Sequence, residues 1–576
     1  MRFATAFPTA LADCYYSFVM LVRDRIAARV GAAVEAAQRD GILPSAAVTG
    51  PLVERPSKPE HGDFASSVPL RLARAARMQP LEIAEHLVAL VSSDEAIERV
   101  WAAPPGFLNF KLSDDWVRAQ VEAVRSAGAS YGNVDVGQAR PVQVEFVSAN
   151  PTGPLHVGTA RGAVLGSSLA NVLEAAGYRV NREYYVNDAG LQMRLFFDSV
   201  FARYAQALGR TGEEVPEGGY QGSYLVELGV ELAQELGERH MSGDREAAIH
   251  ELGELGLQRM LVNIRADLEL IGVTFDTWFS ERDLFANKQY DTTMDLLRER
   301  GYTAERDGAL WFMSTALGED KDNVLVRGTG QPTYFASDIA YHYDKFVGRG
   351  FDRVIDIWGA DHQGHVPRMK VVMGALGIEP ERLTILISQL VTLKRGNETV
   401  RASKRTGQLI SIRELVGEVG PDACRYFFLA RAADSQMEFD MELAKRESPD
   451  NPVYYVQYAH ARIAGIIRQA QERSLSWDDG DVSLLRHEAE LALVRKIVQL
   501  PELIDSIATT LAPHALPHYA TELATAFHLF YDNCRVLSQD DADLPLSKAR
   551  LKLAEASKLV LARCLGLMGM TTPESM

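Results

Sequence analysis

The spacing of apolar residues changes period several times along this chain, and each change predicts an element. Residues 20–125 read as a small α+β unit. A helix covers Leu21–Arg39, a loop follows at Pro56–Ala65, a second helix covers Pro69–Met78, and Pro105-Gly106-Phe107-Leu108-Asn109-Phe110 forms a strand-like end. His61 and Asp63 sit in that loop, where capping a helix accounts for them. From 135 to 440 the pattern becomes α/β. The β-branched run Val142–Val147 predicts a buried strand that breaks at Asn150-Pro151-Thr152-Gly153-Pro154. A helix starts near His156, carries Ala160, Leu165, Leu169 and Leu173 on its apolar positions, and stops at Gly177. With a strand at Arg182–Val186 this is one βαβ unit, expected to be right-handed. Residues 195–330 are largely helical and acidic, an insertion between two halves of a sheet, and Val354–Trp358 and Thr384–Ile387 are later strands. Residues 441–576 are helical, with long amphipathic stretches and few glycines.

At 576 residues the chain has room for three to four domains. The net charge of −17 argues against a protein that coats nucleic acid without specificity. It leaves a specific nucleic-acid partner open, because a local basic face can sit on an acidic body. Four cysteines lie far apart and form no CxxC pair, which suggests neither a zinc ribbon nor a disulfide framework and fits a reducing cytoplasm. No apolar run is long enough for a membrane span. Residues 1–19 are expected to be an extension without a role in the fold, with Met20 the more natural beginning.

The strand–turn–helix at 142–177 also carries chemistry. A helix N-terminus offers free N–H groups and partial positive charge to a phosphate, and Gly158 lets a ring or ribose approach the backbone. The string Ser148-Ala149-Asn150-Pro151-Thr152-Gly153-Pro154-Leu155-His156-Val157-Gly158 resembles the first signature of class I aminoacyl-tRNA synthetases, in the spelling of the arginyl enzymes. Thr399-Val400-Arg401-Ala402-Ser403-Lys404-Arg405-Thr406-Gly407 resembles the second signature, and chain order agrees. The resemblance spans about residues 20–576. It implies an α/β, Rossmann-like catalytic core, an N-terminal α+β module that contacts tRNA, and a C-terminal all-α anticodon-binding bundle. It implies an arginine–tRNA ligase whose substrates are ATP with Mg²⁺, L-arginine and tRNA. No protein-bound metal, no membrane and a cytoplasmic monomer are expected.

The resemblance also assigns residues. ATP falls to His156, Gly158, Thr159, Ser403, Lys404, Asp361 and His362, with His156, Lys404 and Arg401 the catalytic residues. Arg401, Lys404 and Arg405 place three cations on one loop, where they can meet the leaving pyrophosphate. Arginine falls to Glu145, Ser148, Asn150, Tyr334, Asp338 and Gln363. Tyr334 and Asp338, one helical turn apart, wall the pocket and grip the guanidinium, which pairs bidentately with a carboxylate. Asn187, Asp188, Gly190 and Gln192 should lie beside the site. Asp422-Ala423-Cys424-Arg425 marks the helical bundle, where Tyr454, Gln457, Tyr458 and Arg462 are the tRNA candidates. Helical spacing puts Tyr455, Ala459 and Arg462 on one face and Tyr454 and Tyr458 on another, and leaves open which face meets RNA.

Two departures stand out. Thr159 replaces the second histidine of the first signature, and Arg401-Ala402 replaces Lys-Met in the second. Thr159 can donate a hydrogen bond to a ribose or phosphate oxygen but carries no charge, and Lys404 is expected to compensate in part. A weak paralogue that binds tRNA and regulates, or a ligase for another acceptor, are the rival classes. The anticodon-type bundle speaks against the second.

Overall fold

The computed structural model describes residues 21–396, 398–400 and 410–576. These divide into two compact units. The first takes the chain up to Ala127 with the segments Ser476–Glu502 and Cys534–Ala556, and the second takes Gly128–Leu475, Leu503–Asn533 and Ser557–Met576.

The first unit opens on α1 (Val22–Arg39), which buries Ile26, Val30, Ala33 and Ala37 at helical spacing. Strand β1 (Phe64–Ser66) leads into α2 (Val68–Ala76), which ends before Met78 because Arg77 turns left-handed, φ 54°. Helix α3 (Pro80–Leu90) precedes β2 (Ile97–Ala103) and β3 (Phe107–Leu112), and the antiparallel sheet runs β1-β3-β2. Helix α4 (Asp114–Ala127) closes the stretch. Asp63 accepts from the Leu112 N–H at 2.8 Å and from Arg495 Nε at 3.1 Å, so it staples this unit; His61 is exposed.

The second unit is built on β4 (Pro141–Glu145), α5 (Val157–Ala175) and β5 (Arg179–Val186). The first strand ends at Glu145 rather than Val147. Val147 and Ser148 take φ of 72° and 37°, a conformation that no strand continues and that a β-branched residue rarely adopts. Phe146 lies so close under α5 that a Cβ on Gly166 would sit 2.2 Å from its ring, which is why that helix position is glycine. Helices α6 (Gly190–Ala207), α7 (Ser223–Leu236) and α8 (Arg245–Glu269) share a core around Phe196, Phe197, Leu228 and Leu252. The helical insertion stops there. Within the stretch expected to be helical up to residue 330, β6 (Thr277–Ser280) pairs in parallel with β5 and belongs to the main sheet. Helices α9 (Glu281–Ala286) and α10 (Gln289–Glu299) follow. Next come three antiparallel strands, β7 (Thr303–Arg306), β8 (Ala309–Phe312) and β9 (Asn323–Val326).

Helix α11 (Tyr334–Tyr343) runs into a π-helical turn, Asp344–Gly348, and then β10 (Arg353–Gly359). Helix α12 (Val366–Ala375) leads to β11 (Leu383–Ser388). The five-stranded sheet is parallel throughout, in the order β11-β10-β4-β5-β6. Its order reverses between β4 and β10. In open parallel sheets a ligand crevice forms beyond the carboxyl ends of the strands at such a switch point. A small sheet of β12 (Val391–Arg395), β13 (Glu398–Thr399) and β14 (Met437–Asp440) brackets α13 (Ile412–Val419) and α14 (Pro421–Leu429). The rest is helical: α15 (Met441–Ala444), α16 (Pro452–Glu472), α17 (Glu488–Ile497), α18 (Leu500–Thr510), α19 (Ala515–Asn533) and α20 (Leu544–Met568). Among the described residues no helix is long and apolar enough to cross a membrane.

Candidate active site

At the switch point α5 begins with His156 as its N-cap. The imidazole turns back and its Nδ1 accepts from the Gly158 N–H at 3.0 Å. A Cβ on residue 158 would lie 2.9 Å from that ring, so the glycine is needed by the cap itself. Thr159 donates its hydroxyl to the His156 carbonyl at 2.6 Å. Its one O–H thereby serves the helix turn, and its lone pairs remain. The segment after the second signature is anchored here too. The Val157 N–H donates to the Ile410 carbonyl at 3.1 Å, and the Ile412 N–H donates to the Leu155 carbonyl at 3.0 Å. Ser411 and Glu414 form a capping box that starts α13. Arg401, Ser403, Lys404 and Arg405 themselves lie outside the described residues.

Glu145 ends β4 and is buried. Its Oε1 accepts from the Ser148 hydroxyl at 2.8 Å and its Oε2 from Lys345 Nζ at 2.5 Å. Ser148 also accepts from the Tyr185 N–H at 3.1 Å, which uses its left-handed turn to tie β4 to β5. Asn150 donates to Gln192 Oε1 at 2.6 Å, and both are exposed. Asn187 donates to the Ser148 carbonyl at 3.3 Å, and Asp188 accepts from the Ser280 hydroxyl at 2.6 Å. The Asn187-Asp188 pair thus holds the walls of the crevice together.

Helix α11 faces this floor. Tyr334 is exposed, and Asp338, one turn on, is half-buried. Among the described residues no donor meets the Asp338 carboxylate. Burial pushes its carboxyl up to about 7; Glu145 and Glu281 push the same way, and His342 and Lys345 pull it back. Glu281, the first residue of α9, is itself buried, and its Oε2 has no hydrogen-bond partner among the described residues. Burial raises Glu281, Asp188 adds to the shift, and Ser337 opposes it. The pocket therefore holds carboxylates in excess, two of them lacking a cation.

Asp361, His362 and Gln363 form an exposed helical turn just after β10, with His362 Nε2 3.6 Å from Asp361 Oδ2. Among the described residues no three of His, Cys, Asp and Glu gather as a metal site. In the C-terminal helices Tyr454 and Tyr458 stack with centroids 5.8 Å apart. Arg462 lies 4.7 Å over Tyr458 and donates to its hydroxyl at 2.7 Å, so Arg462 joins the Tyr454 face rather than that of Tyr455 and Ala459. His528 of α19 stacks on Tyr458 at 6.2 Å, and Arg462 also lies 4.8 Å over Tyr531. Gln457 is buried and donates to Asp422 Oδ2 at 2.6 Å, which removes it from the RNA candidates.

Sequence reasoning missed Glu281, His342, Lys345 and Asp356. Asp338, His342 and Lys345 lie at i, i+4 and i+7, one helical face, and Asp356 is a lone charge inside Val354–Trp358. Both were visible signals of charge pointing into a core.

Three family models match the chain: the arginyl tRNA synthetase N terminal domain over residues 23–112, the catalytic domain of class I (R) tRNA synthetases over 120–215, and the DALR anticodon binding domain over 456–576. The arginine–tRNA ligase of Dehalococcoides mccartyi strain BAV1 is 53% identical over 558 residues, 97% of this chain and 100% of that protein. The arginine–tRNA ligase of Carboxydothermus hydrogenoformans is 49% identical over 527 residues, 91% of this chain and 94% of that protein. The solved arginyl-tRNA synthetase of Thermus thermophilus covers 96% of this chain and 100% of its own at a TM-score of 0.77; at 22% identity that likeness speaks for the fold. Signatures, fold and relatives agree: the chain belongs to the class I arginyl-tRNA synthetases.

Proposed function

We propose a division of labour for this arginine–tRNA ligase, which uses ATP to join arginine to tRNA. ATP takes its place at the α5 N-terminus beside His156, with Asp361 and His362 toward the nucleoside. Mg²⁺ enters with the phosphates as part of the substrate. Arginine lies with its guanidinium on Asp338, assisted by the Oε2 of Glu281 and walled by Tyr334, and with its α-ammonium at Glu145 and Asn150. Its carboxylate, already ionised, attacks the α-phosphorus, the bond to the β-phosphate oxygen breaks, and pyrophosphate leaves toward Arg401 and Lys404. The terminal tRNA ribose hydroxyl then attacks the acyl carbon and AMP leaves. The protein forms no covalent bond; it positions reactants and meets developing charge.

The observation that carries this reading is Asp338: a half-buried carboxylate without a donor among the described residues, raised among other carboxylates, is a site short of one cation. Tyr454, Tyr458 and Arg462 with His528 and Tyr531 supply stacking faces and charge suited to unpaired bases, and we assign the anticodon contact to them. Cys424, Cys534 and Cys564 are buried and free, which favours a reducing cytoplasm, and we expect a monomer. Arginine-dependent ATP–pyrophosphate exchange, with and without tRNA, tests the whole. Exchange specific to arginine supports it; exchange absent under both conditions would leave the tRNA-binding regulator.

A further inference from the structure

Among the described residues Lys345 is the one fully buried lysine ammonium of the crevice floor, and the reaction as described gives it no task. It sits in the π-helical turn after α11, and Glu145 and Asp356 stand opposite one another where β4 pairs with β10. Its Nζ donates to Glu145 Oε2 at 2.5 Å and to Asp356 Oδ1 at 2.8 Å, and lies 4.3 Å over the Tyr341 ring. Asp356 is completed by His342, whose Nε2 lies 2.7 Å from Oδ2. The other ring nitrogen of His342 lies 2.7 Å from the backbone carbonyl of Asp338 and must donate to it. A continuous chain of hydrogen bonds thus runs from the residue opposite the guanidinium to the residue opposite the α-ammonium.

The side chains of Lys345 and Asp356 are 0% exposed and that of Glu145 is 8% exposed, so of the two carboxylates on the ammonium Glu145 is the one presented to the crevice. From neighbouring elements Glu145, Asp356 and Glu183 face the ammonium. Its own helical stretch adds Asp338, His342, Asp344 and Arg349. Burial opposes the charge on Lys345, and the three carboxylates outweigh it, so the ammonium is retained.

We propose that Lys345 is a positioning residue of the arginine pocket: it clamps Glu145 against Asp356 and fixes that carboxylate to meet the substrate's α-ammonium. The inference rests on the reading of Glu145 as the α-ammonium ligand. Without Lys345 the Glu145 carboxylate loses its cation and faces that of Asp356 in a buried site, which favours the protonated form of Glu145. The lost charge is then regained only at high pH.

The test compares Lys345→Met, Lys345→Arg, the double variant Lys345→Met with Asp356→Asn, and Glu145→Gln. Arginine and ATP KM are read from tRNA-supplemented pyrophosphate exchange between about pH 7 and pH 9, alongside thermal melts. We expect Lys345→Met to raise arginine KM roughly tenfold near pH 7, with ATP KM within about twofold and the penalty shrinking toward pH 9. Lys345→Arg keeps arginine KM within about fivefold. The double variant removes one charge of each sign and recovers arginine KM by about threefold or more over Lys345→Met, without the pH trend. A normal KM in Lys345→Met, or a loss equal at every pH that Asp356→Asn does not relieve, overturns the proposal. Should Lys345→Met not fold, the double variant decides: an arginine KM near the native value supports the proposal, and a loss as large as that of Glu145→Gln overturns it. A near-native Glu145→Gln overturns the Glu145 assignment and the inference with it. A damaged Glu145→Gln beside a near-native Lys345→Met overturns the inference alone.

Discussion

Glu145, Lys345, Asp356 and Glu281 are buried in strands or helical segments, whereas Asp361 and His362 are exposed and His156 and Thr159 half-open. The first group faces the proposed amino acid, the second the proposed nucleotide. The two ligands explain the contrast. Arginine must be told from lysine and from neutral analogues by one planar cation, and a fixed carboxylate in a low-dielectric wall discriminates where a solvated one does not. ATP brings several charges of its own, and a helix N-terminus with loop cations can meet them in a wet site.

The largest effect that would break this contrast is at Asp338. Asp338→Asn keeps the shape and removes the charge. Arginine KM should rise by about two powers of ten or more, about 2.7 kcal/mol, with ATP KM nearly unchanged and discrimination against citrulline reduced. The native enzyme adds a pH test. Asp338 binds a guanidinium as a carboxylate, and burial first, then Glu145 and Glu281, push its carboxyl up to about 7. Protons therefore compete with arginine below that pH and not above it. Arginine affinity should fall about tenfold for each pH unit below about 7, and Asp338→Asn should abolish the slope. A flat profile in the native enzyme would place the selectivity carboxylate elsewhere.

The mirror experiment is Lys404→Ala. It should lower the rate of arginine activation by about two powers of ten, the scale of one positioned charge donor, and leave arginine KM within about threefold. Single-turnover adenylate formation separates the two readings. An unaltered rate would remove Lys404 from the chemistry.

These residues were not equally legible beforehand. The strand at β4, the turn, the His156 cap and α5 follow from local pattern, because an N-cap and a glycine stop are neighbours in sequence. Strand β6 was hidden inside a helical stretch: four residues, Thr277–Ser280, gain their place only by parallel pairing with β5 about ninety residues earlier. Lys345 and Asp356 looked like ordinary charges because a sequence does not show that one helix face and one strand end meet. Gln457 and Arg462 were misplaced for the same reason. Asp422 and Thr571 claim Gln457, and the Tyr458 ring claims Arg462.

A third prediction tests whether the contrast is confined to the crevice. Tyr458→Ala removes the ring shared by Tyr454, His528 and Arg462. The tRNA KM in aminoacylation should rise roughly tenfold, in line with about 1–3 kcal/mol per stacked base. Arginine and ATP KM in pyrophosphate exchange at saturating tRNA should stay within about twofold. If they move as much as the tRNA KM, this face supports the crevice rather than RNA.

The smallest effect is expected at Thr159, on the nucleotide side, where the chain departs from its family's first signature. The hydroxyl of Thr159 already donates to the His156 carbonyl at 2.6 Å, so it closes the first turn of α5 and has no proton to offer ATP. A histidine there would lose that bond and add a donor near the phosphates. The position is half-exposed at a helix start, so the larger ring has room and Thr159→His should fold. The gain in kcat/KM for ATP should be less than about tenfold, at most ~1.4 kcal/mol, because in the proposed arrangement the helix N-terminus and the cations of the second signature meet the phosphates and the lost cap bond offsets part of it. Steady-state kinetics with arginine and tRNA saturating decides the point. A native enzyme close to inactive, rescued a thousandfold by the histidine, would mean that the nucleotide side is incomplete as it stands and would favour a regulatory tRNA-binding protein.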